Sequence, residues 1–187
     1  MADPVWGEIE LALGQIAALP HNVVRLKSKG LTPSDEVASK LREIKSGLLG
    51  APRRDPFVGP KMFLRVVGAG NRAYSGEWWF DAEVLAALDD AYARIPLEQD
   101  DLNQVVRDML RELLAISHEW NSITEIWELR LPAGERLVGY GGIGSPQQLF
   151  ANLPLTEKGN RMLVGRARQY FFPVKNPLWV EKIRNLV

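Results

Sequence analysis

A short aromatic segment, YSGEWWF at residues 74–80, carries the residue types in this chain that are most suited to chemistry. Its carboxylate, Glu77, precedes two adjacent tryptophans. A carboxylate beside an aromatic face can stabilise the positive charge that develops when a glycosidic bond breaks through an oxocarbenium ion. If the segment is extended, Ser75, Glu77 and Trp79 share one face and Trp78 lies on the other. The two indoles therefore cannot form one stacking platform.

The same residues also have a purely structural interpretation. Glu77 could be an edge-strand acid that pairs with Arg65 or Arg72, and tryptophan side chains more often fill a core than bind a ligand. Because Trp78 and Trp79 point to opposite faces, one layer can bury only one of them. The other indole requires a covering helix, contact with the N-terminal region, or a ligand.

Composition excludes several classes of site. The 187 residues include no cysteine, so the chain has no disulfide, thiolate zinc site or cysteine nucleophile. Neither histidine, His21 or His118, has a carboxylate cluster at ligand spacing, and no metal is expected. There is no G-x-S-x-G motif. The glycine-rich stretch GYGGIGSP, residues 139–146, lacks the Lys-Ser/Thr ending of a phosphate-binding loop, so it is either a tight turn or a loop that approaches a ligand closely.

Charge is balanced overall but unevenly distributed. The formal net charge is zero, yet acids dominate residues 81–128 and bases dominate residues 129–187. Either an acidic helical face attracts a basic strand region, or several arginines form an anion site for phosphates. The candidates for that site are Arg65, Arg72, Arg161, Arg166 and Arg168. Nucleic-acid binding is not favoured, because such affinity comes chiefly from accumulated positive charge.

The N-terminus does not resemble a signal peptide, because acids rather than bases surround its first apolar positions. No apolar run approaches the roughly 18 residues that a membrane span requires. We therefore expect a soluble protein without a membrane span, either cytoplasmic or secreted or delivered without a classical signal peptide.

Residues 1–50 predict a helical extension. Apolar residues recur at helical spacing from Trp6 to Ala17, and Leu19-Pro20 closes that pattern. A second helix begins at Thr32, where Asp35 completes a capping box. Residues 51–61 contain three prolines and a glycine, and they predict a linker.

Residues 62–187 predict an α+β domain, because strand patterns lie on both sides of a helical insert. The fold class is an N-terminal helical extension followed by a mixed, mainly antiparallel β core with inserted helices. In the ITEIWELRL strand, Glu128 is expected to face solvent. The expected strands are 62–67, 74–80, 123–131, 136–140 and 168–174; helices are expected after Asp81, after Pro96 and over 179–186.

These elements resemble the ADP-ribosyltransferase fold, with an arginine on a first strand (Arg65 in FLRVV) and a serine that opens a second strand (Ser75 in YSGEWW). The segments LPAGERLVGYGGIGSP and YFFPVKNPLWV are similar to NAD glycohydrolase toxins of the tuberculosis-necrotizing-toxin type. In that family an arginine precedes a Tyr/Phe-Gly pair, whereas here Gly139 precedes Tyr140. The segments that carry the resemblance contain neither the Glu-x-Glu nor the Gln-x-Glu motif of arginine-modifying transferases.

The resemblance implies a bacterial toxin or effector that acts as a hydrolase or glycosyltransferase on NAD, with NAD as substrate and no metal. It implies that Arg65 holds the pyrophosphate. The residues that it places around the nicotinamide ribose and ring are Tyr74, Ser75, Trp78, Trp79 and Tyr140. It assigns stabilisation of the ribosyl cation to Glu77, or else to Gln169 or Gln147.

A different class of function also fits the sequence. A non-catalytic adaptor, immunity or phage/secretion component would bind its partner through the first helix and exposed aromatic residues. For the enzyme, the corresponding partner is a protein acceptor, or an immunity or adaptor protein that binds the N-terminal helices.

Overall fold

The computed structural model describes residues 4–68 and 77–187. Its N-terminal part is helical, as the sequence predicts. The helices are α1 Pro4–Ala17, α2 Pro20–Ser28 and α3 Pro33–Gly47. The capping box of α3 is confirmed, since Thr32 N lies 2.8 Å from Asp35 Oδ2 and Asp35 N lies 3.2 Å from Thr32 Oγ1. The sequence pattern missed α2, which Pro20 opens directly after α1 ends.

A seven-stranded sheet forms the centre of the described chain. Its strands are β1 Arg53–Val58, β2 Lys61–Val67, β3 Trp78–Asp81, β4 Glu125–Leu131, β5 Arg136–Ile143, β8 Arg168–Phe171 and β9 Val180–Asn185. They lie in the order β1-β5-β8-β3-β2-β4-β9, and each pairing is antiparallel. Two short strands, β6 Gln147–Gln148 and β7 Met162–Leu163, pair separately. The α+β class and the mainly antiparallel sheet are thus confirmed.

Helices cover one face of this sheet in two groups. Between β3 and β4 lie α4 Ala82–Tyr92 and α5 Gln99–Leu114, whose Leu110 packs with Leu64 and Phe80. The N-terminal helices cover the neighbouring strands, where Ile9 and Ile44 pack against Phe171. On the opposite face an aromatic cluster is formed by Phe57, Phe63, Trp79, Tyr170 and Phe172.

Several expectations of the sequence are wrong. The expected linker, residues 51–61, contains β1, which pairs with β5. Because β1 is an edge strand, Pro56 is tolerated in it. The glycine-rich stretch largely belongs to β5 rather than to a turn. The expected tail helix is a 3-10 turn, Pro177–Trp179, followed by β9, which pairs with β4. Glu128 is only 2% exposed and pairs with Arg130, so it does not face solvent.

The uneven charge distribution reflects ion pairing between the two regions. Arg161 pairs with Glu112 of α5, and Arg184 pairs with Asp89 of α4 at 2.7 Å. Arg168 instead pairs with Asp55 of β1 at 2.6 Å. Arg161 and Arg168 therefore engage separate acids rather than one shared anion site, and attraction between acidic helices and basic strands accounts for the pairs of Arg161 and Arg184. Arg72, another candidate, lies outside the described residues.

No helix in residues 4–68 and 77–187 is both long enough and apolar enough to cross a bilayer. Within the same ranges, no three His, Cys, Asp or Glu side chains are placed to hold a metal ion together.

Candidate functional site

A cleft of about 430 Å³ lies on the helix-covered face of the sheet, between the C-terminal ends of α3 and α5. Ser46 and Gly47 line it from α3, and Leu114 and Ala115 line it from the end of α5. The seven-stranded sheet contributes Arg65, Val66, Trp78, Trp79, Phe80 and Gln169, β6 contributes Gln147, and loops contribute Ile116, Trp120, Asn121 and Ser145. The cleft therefore contains five residues that the sequence proposed for a site: Arg65, Trp78, Trp79, Gln147 and Gln169.

Strand alternation separates the two tryptophans, as expected. Trp78 packs against Phe171, with ring centroids 5.7 Å apart, and its indole Nε1 donates a 2.7 Å hydrogen bond to Glu43 of α3. Trp79 borders the cleft, but only 1% of it is exposed and it belongs to the aromatic cluster on the opposite face. Of the pair, Trp78 is therefore the indole that can contact a ligand in the cleft.

Arg65 brings a buried positive charge to the cleft. Its Nε and Nη1 atoms are buried and have no hydrogen-bond partner in the described part of the chain. Burial lowers the pKa of its guanidinium, while Glu77 and then Glu43 oppose that shift. An unsatisfied buried guanidinium is costly, so a ligand anion that accepts hydrogen bonds from it would gain more than at an exposed arginine.

Glu77 lies beside this cluster but is already engaged. Its carboxylate is 3.2 Å from Lys40 Nζ of α3, and Lys40 also pairs with Glu43 at 3.0 Å. Glu77 is thus an ion-paired acid, as its structural interpretation predicted, but its partner among the described residues is Lys40 rather than Arg65. Arg72, the other expected partner, lies outside the described residues.

Gln169 occupies the floor of the cleft, opposite Phe80 in the pairing of β8 with β3. Its Nε2 donates a 2.9 Å hydrogen bond to the carbonyl of Leu114, the last residue of α5. With the amide nitrogen used in this way, the carbonyl oxygen is the group that Gln169 offers to a ligand. Gln147 is held similarly, through a 3.1 Å hydrogen bond from its Nε2 to Ser46 O.

One residue proposed from sequence, Tyr140, lies away from this cleft. Tyr140 is 5% exposed and packs under α1 and α3 with Ile9, and burial raises the pKa of its hydroxyl. It does not line the cleft, because the strand that carries it is covered by the N-terminal helices. Tyr74 and Ser75 lie outside the described residues.

Three further residues were missed by sequence reasoning. Glu43 and the half-exposed Trp120 line the cleft, and Lys175 Nζ lies 5.9 Å from the centroid of the Trp79 ring. Burial, together with repulsion from Arg65 and Lys40, lowers the pKa of Lys175 to about 8. The position of Glu43 one turn after Lys40 was the available signal, since i,i+3 residues share a helix face. Nothing in the sequence indicated that Lys175 approaches this end of β3.

No protein-family model matches this chain, and no curated protein is significantly similar to it. Among solved structures, one similar chain is described as Rhs1-CT in complex with its cognate immunity protein RhsI1. It is 14% identical with a TM-score of 0.40, over 74% of this chain and 81% of that chain. Another, Tse6 in complex with Tsi6, is 12% identical with a TM-score of 0.35, over 87% of this chain and 91% of that chain. Likeness at this level does not assign the chain to either fold.

Proposed function

We propose that the cleft binds NAD and that the protein consumes it, as a toxin or effector, by cleaving the bond between nicotinamide and ribose. The products are nicotinamide and either ADP-ribose, if water is the acceptor, or an ADP-ribosylated acceptor. An ADP-ribosyltransferase-like fold is part of this proposal. The observation that carries it is the buried guanidinium of Arg65, together with the Trp78 indole and the C-terminal ends of two helices, in the lining of one cleft. These groups suit a ligand that combines a diphosphate with a cationic ring.

Arg65 contributes a positive charge to the lining of the cleft. Its guanidinium is buried, and two of its nitrogens have no hydrogen-bond partner among residues 4–68 and 77–187. A diphosphate supplies oxygen acceptors and negative charge, and arginine forms strong charge-assisted hydrogen bonds with phosphates. The pyrophosphate of NAD is proposed to lie here.

Other groups in the lining are electronegative. The C-terminal ends of α3 and α5 both border the cleft, and helix C-termini carry partial negative charge. Glu43 adds a carboxylate, and the indole of Trp78 adds an aromatic surface at the same wall. A pyridinium ring is cationic and flat, so it suits this combination through both charge and stacking.

Cleavage breaks the C1′–N1 bond, and its electron pair moves to the nicotinamide nitrogen, which becomes neutral. The positive charge passes to the ribosyl oxocarbenium ion. The carbonyl oxygen of Gln169 and the nearby helix C-termini are suited to stabilise that charge. Water or another nucleophile then attacks C1′ and loses its proton. Glu77 serves indirectly in this arrangement, because Lys40 already neutralises its carboxylate.

Nicotinamide release from NAD tests this proposal. Wild-type protein should release nicotinamide, and Arg65→Ala should lower the rate at subsaturating NAD by at least about tenfold, because it removes the cation assigned to the diphosphate. Arg65→Lys retains the charge and should lose less. Arg136→Ala, at an exposed arginine of β5, is the matched control and should behave as wild type. Absence of release by folded wild type, or release unaffected by Arg65→Ala, contradicts the proposal.

The second candidate, a non-catalytic interaction protein, draws on exposed apolar side chains of the N-terminal helices. Leu11 of α1 is 65% exposed and Val24 of α2 is 70% exposed. This candidate predicts that folded wild type neither cleaves nor binds NAD. NAD binding that Arg65→Ala weakens would exclude it as the sole role of the protein.

A further inference from the structure

Three cationic side chains from different elements converge near the start of β3. Lys40 comes from α3, Arg65 from β2 and Lys175 from the segment after β8. Glu77 is an acid that interacts with all three: it contacts Lys40 at 3.2 Å and interacts electrostatically with Arg65 and Lys175. We refer to Lys40, Arg65 and Lys175 as the cation cluster.

The cation cluster is incompletely neutralised. Lys40 has two acidic partners, Glu43 and Glu77, whereas neither of them lies within ion-pair distance of Arg65. Two Arg65 nitrogens are buried without a hydrogen-bond partner in the described ranges, and Lys175 lies over the face of Trp79. Three positive charges therefore share two negative ones, in surroundings that burial has partly desolvated.

We propose that Arg65, Lys175 and Lys40 form an anion site and that Glu77 is its internal counter-ion. A diphosphate binds at this site, and the negative charge of Glu77 opposes that binding. The chemical class of the ligand is a diphosphate or another compact polyanion. As a refinement, the site is that of the NAD pyrophosphate, and this assignment rests on the proposed function. Lys40 and Lys175 are then binding residues, and Glu77 sets the affinity.

Removal of the negative charge of Glu77 and removal of the positive charge of Lys175 should change the affinity for pyrophosphate in opposite directions. With Glu77→Gln, the cluster loses a competing negative charge, so pyrophosphate should bind more tightly. With Lys175→Met, it loses an attractive charge while most of the side-chain volume remains, so pyrophosphate should bind more weakly. A catalytic role for Glu77 would instead predict slower NAD cleavage by Glu77→Gln without tighter pyrophosphate binding.

The charge of Lys175 also makes the site dependent on pH. Burial is the largest cause of its lowered pKa of about 8; Glu77 favours its charged form, and Arg65 and Lys40 oppose it. Lys175 is protonated well below that pH and neutral well above it. Anion affinity should therefore be high in the acidic range and fall as pH rises through about 8. Sulfate is a suitable probe, because its own charge is constant over this range.

Calorimetric titration with inorganic pyrophosphate near pH 6.5 tests the proposal. Glu77→Gln should tighten binding by about three- to tenfold, and Lys175→Met should weaken it by about tenfold. Glu125→Gln is the matched control, since Glu125 pairs with Lys182 at 3.2 Å near the β9 edge of the sheet. This variant should bind pyrophosphate as tightly as wild type. Unchanged or weaker binding by folded Glu77→Gln overturns the proposal.

A second measurement does not depend on whether the Glu77→Gln variant folds. Wild-type affinity for sulfate should decrease through about pH 8, and Lys175→Met should show a flat profile. A wild-type profile that is already flat overturns the proposal. If pyrophosphate behaves as described but NAD releases no nicotinamide, the proposed function fails and the anion site stands. If nicotinamide is released but Glu77→Gln does not tighten pyrophosphate binding, the anion site fails and the proposed function stands.

Discussion

Trp78 Nε1 lies 2.7 Å from Glu43 Oε1, so the first residue of β3 is tied to α3 at the wall of the cleft. The indole ring also lies against Gly47 of α3, where an added Cβ would be 3.2 Å from its Cζ2 atom. This contact and the hydrogen bond together fix the orientation of the Trp78 ring at the start of β3. The helical extension therefore helps to build the site.

Glu43→Ala should lower the free energy of unfolding by about 1 to 2 kcal/mol, because the indole N–H loses a charged acceptor. Glu43→Gln retains an oxygen acceptor for the indole and loses only the exposed ion pair with Lys40, which contributes little. It should cost about half as much or less. Urea denaturation measures both variants. Equal losses would show that the ion pair, and not the indole hydrogen bond, matters.

Two glycines should respond in opposite directions to alanine. At Gly14, inside α1, an added Cβ meets nothing within 4 Å, so Gly14→Ala should raise stability by about 0.5 to 1 kcal/mol through helix propensity. At Gly139 the Cβ would lie 2.3 Å from Cε1 of the fully buried Phe172. Gly139→Ala should cost about 1 to 3 kcal/mol through overpacking. Thermal or urea unfolding checks both, and similar shifts would contradict the close approach at Gly139.

Elements with strong local signals were predictable from sequence. The capping box of Thr32 and Asp35 identified the start of α3, and the alternation in ITEIWELRL identified β4. The strand β1 was not predictable, because its proline and charges are typical of a loop and only pairing with β5 makes it a strand. For β9, Trp179 and the apolar residues after it suggested a helix, but pairing with β4 outweighs that local pattern.

The candidate site was predictable only in part. Alternation correctly separated Trp78 from Trp79, since that relation depends on two neighbouring residues. Alternation could not show which indole faces the cleft, because that depends on α3 and α5 packing over the same sheet face. The approach of Lys40 and Lys175 to Glu77 joins residues far apart in the chain, and only the folded chain brings them together.

Glu119 should make stability depend on pH in the acidic range. The Ser117 hydroxyl and the Ala151 N–H donate hydrogen bonds to its carboxylate, and they lower its pKa to about 2 from 4.5. Because the folded-state pKa is the lower one, this stabilisation is present above pH 4.5 and is lost as pH falls toward 2.

Glu119→Gln should therefore lose less stability than wild type between pH 5 and pH 2, as measured by urea midpoints across that range. Glu10→Gln, at an exposed glutamate of α1, controls for the change in net charge. Parallel pH profiles for wild type and Glu119→Gln would contradict this assignment.

Gly144 allows a test of Gln169 that leaves Gln169 itself intact. An added Cβ at Gly144 would lie 2.3 Å from Gln169 Nε2, the atom that donates to Leu114 O, so Gly144→Ala should displace the amide. Gly142 is directly opposite Gln169 in the β5–β8 pairing, and its added Cβ would be 3.5 Å from the nearest atom of Leu48, an ordinary contact.

If Gln169 stabilises the ribosyl cation, Gly144→Ala should slow nicotinamide release by about tenfold or more, and Gly142→Ala should stay within about twofold of wild type. Unfolding midpoints measured in parallel separate loss of activity from loss of fold. Normal release by a folded Gly144→Ala protein would contradict the role assigned to Gln169, because an added Cβ 2.3 Å from its Nε2 requires the amide to shift.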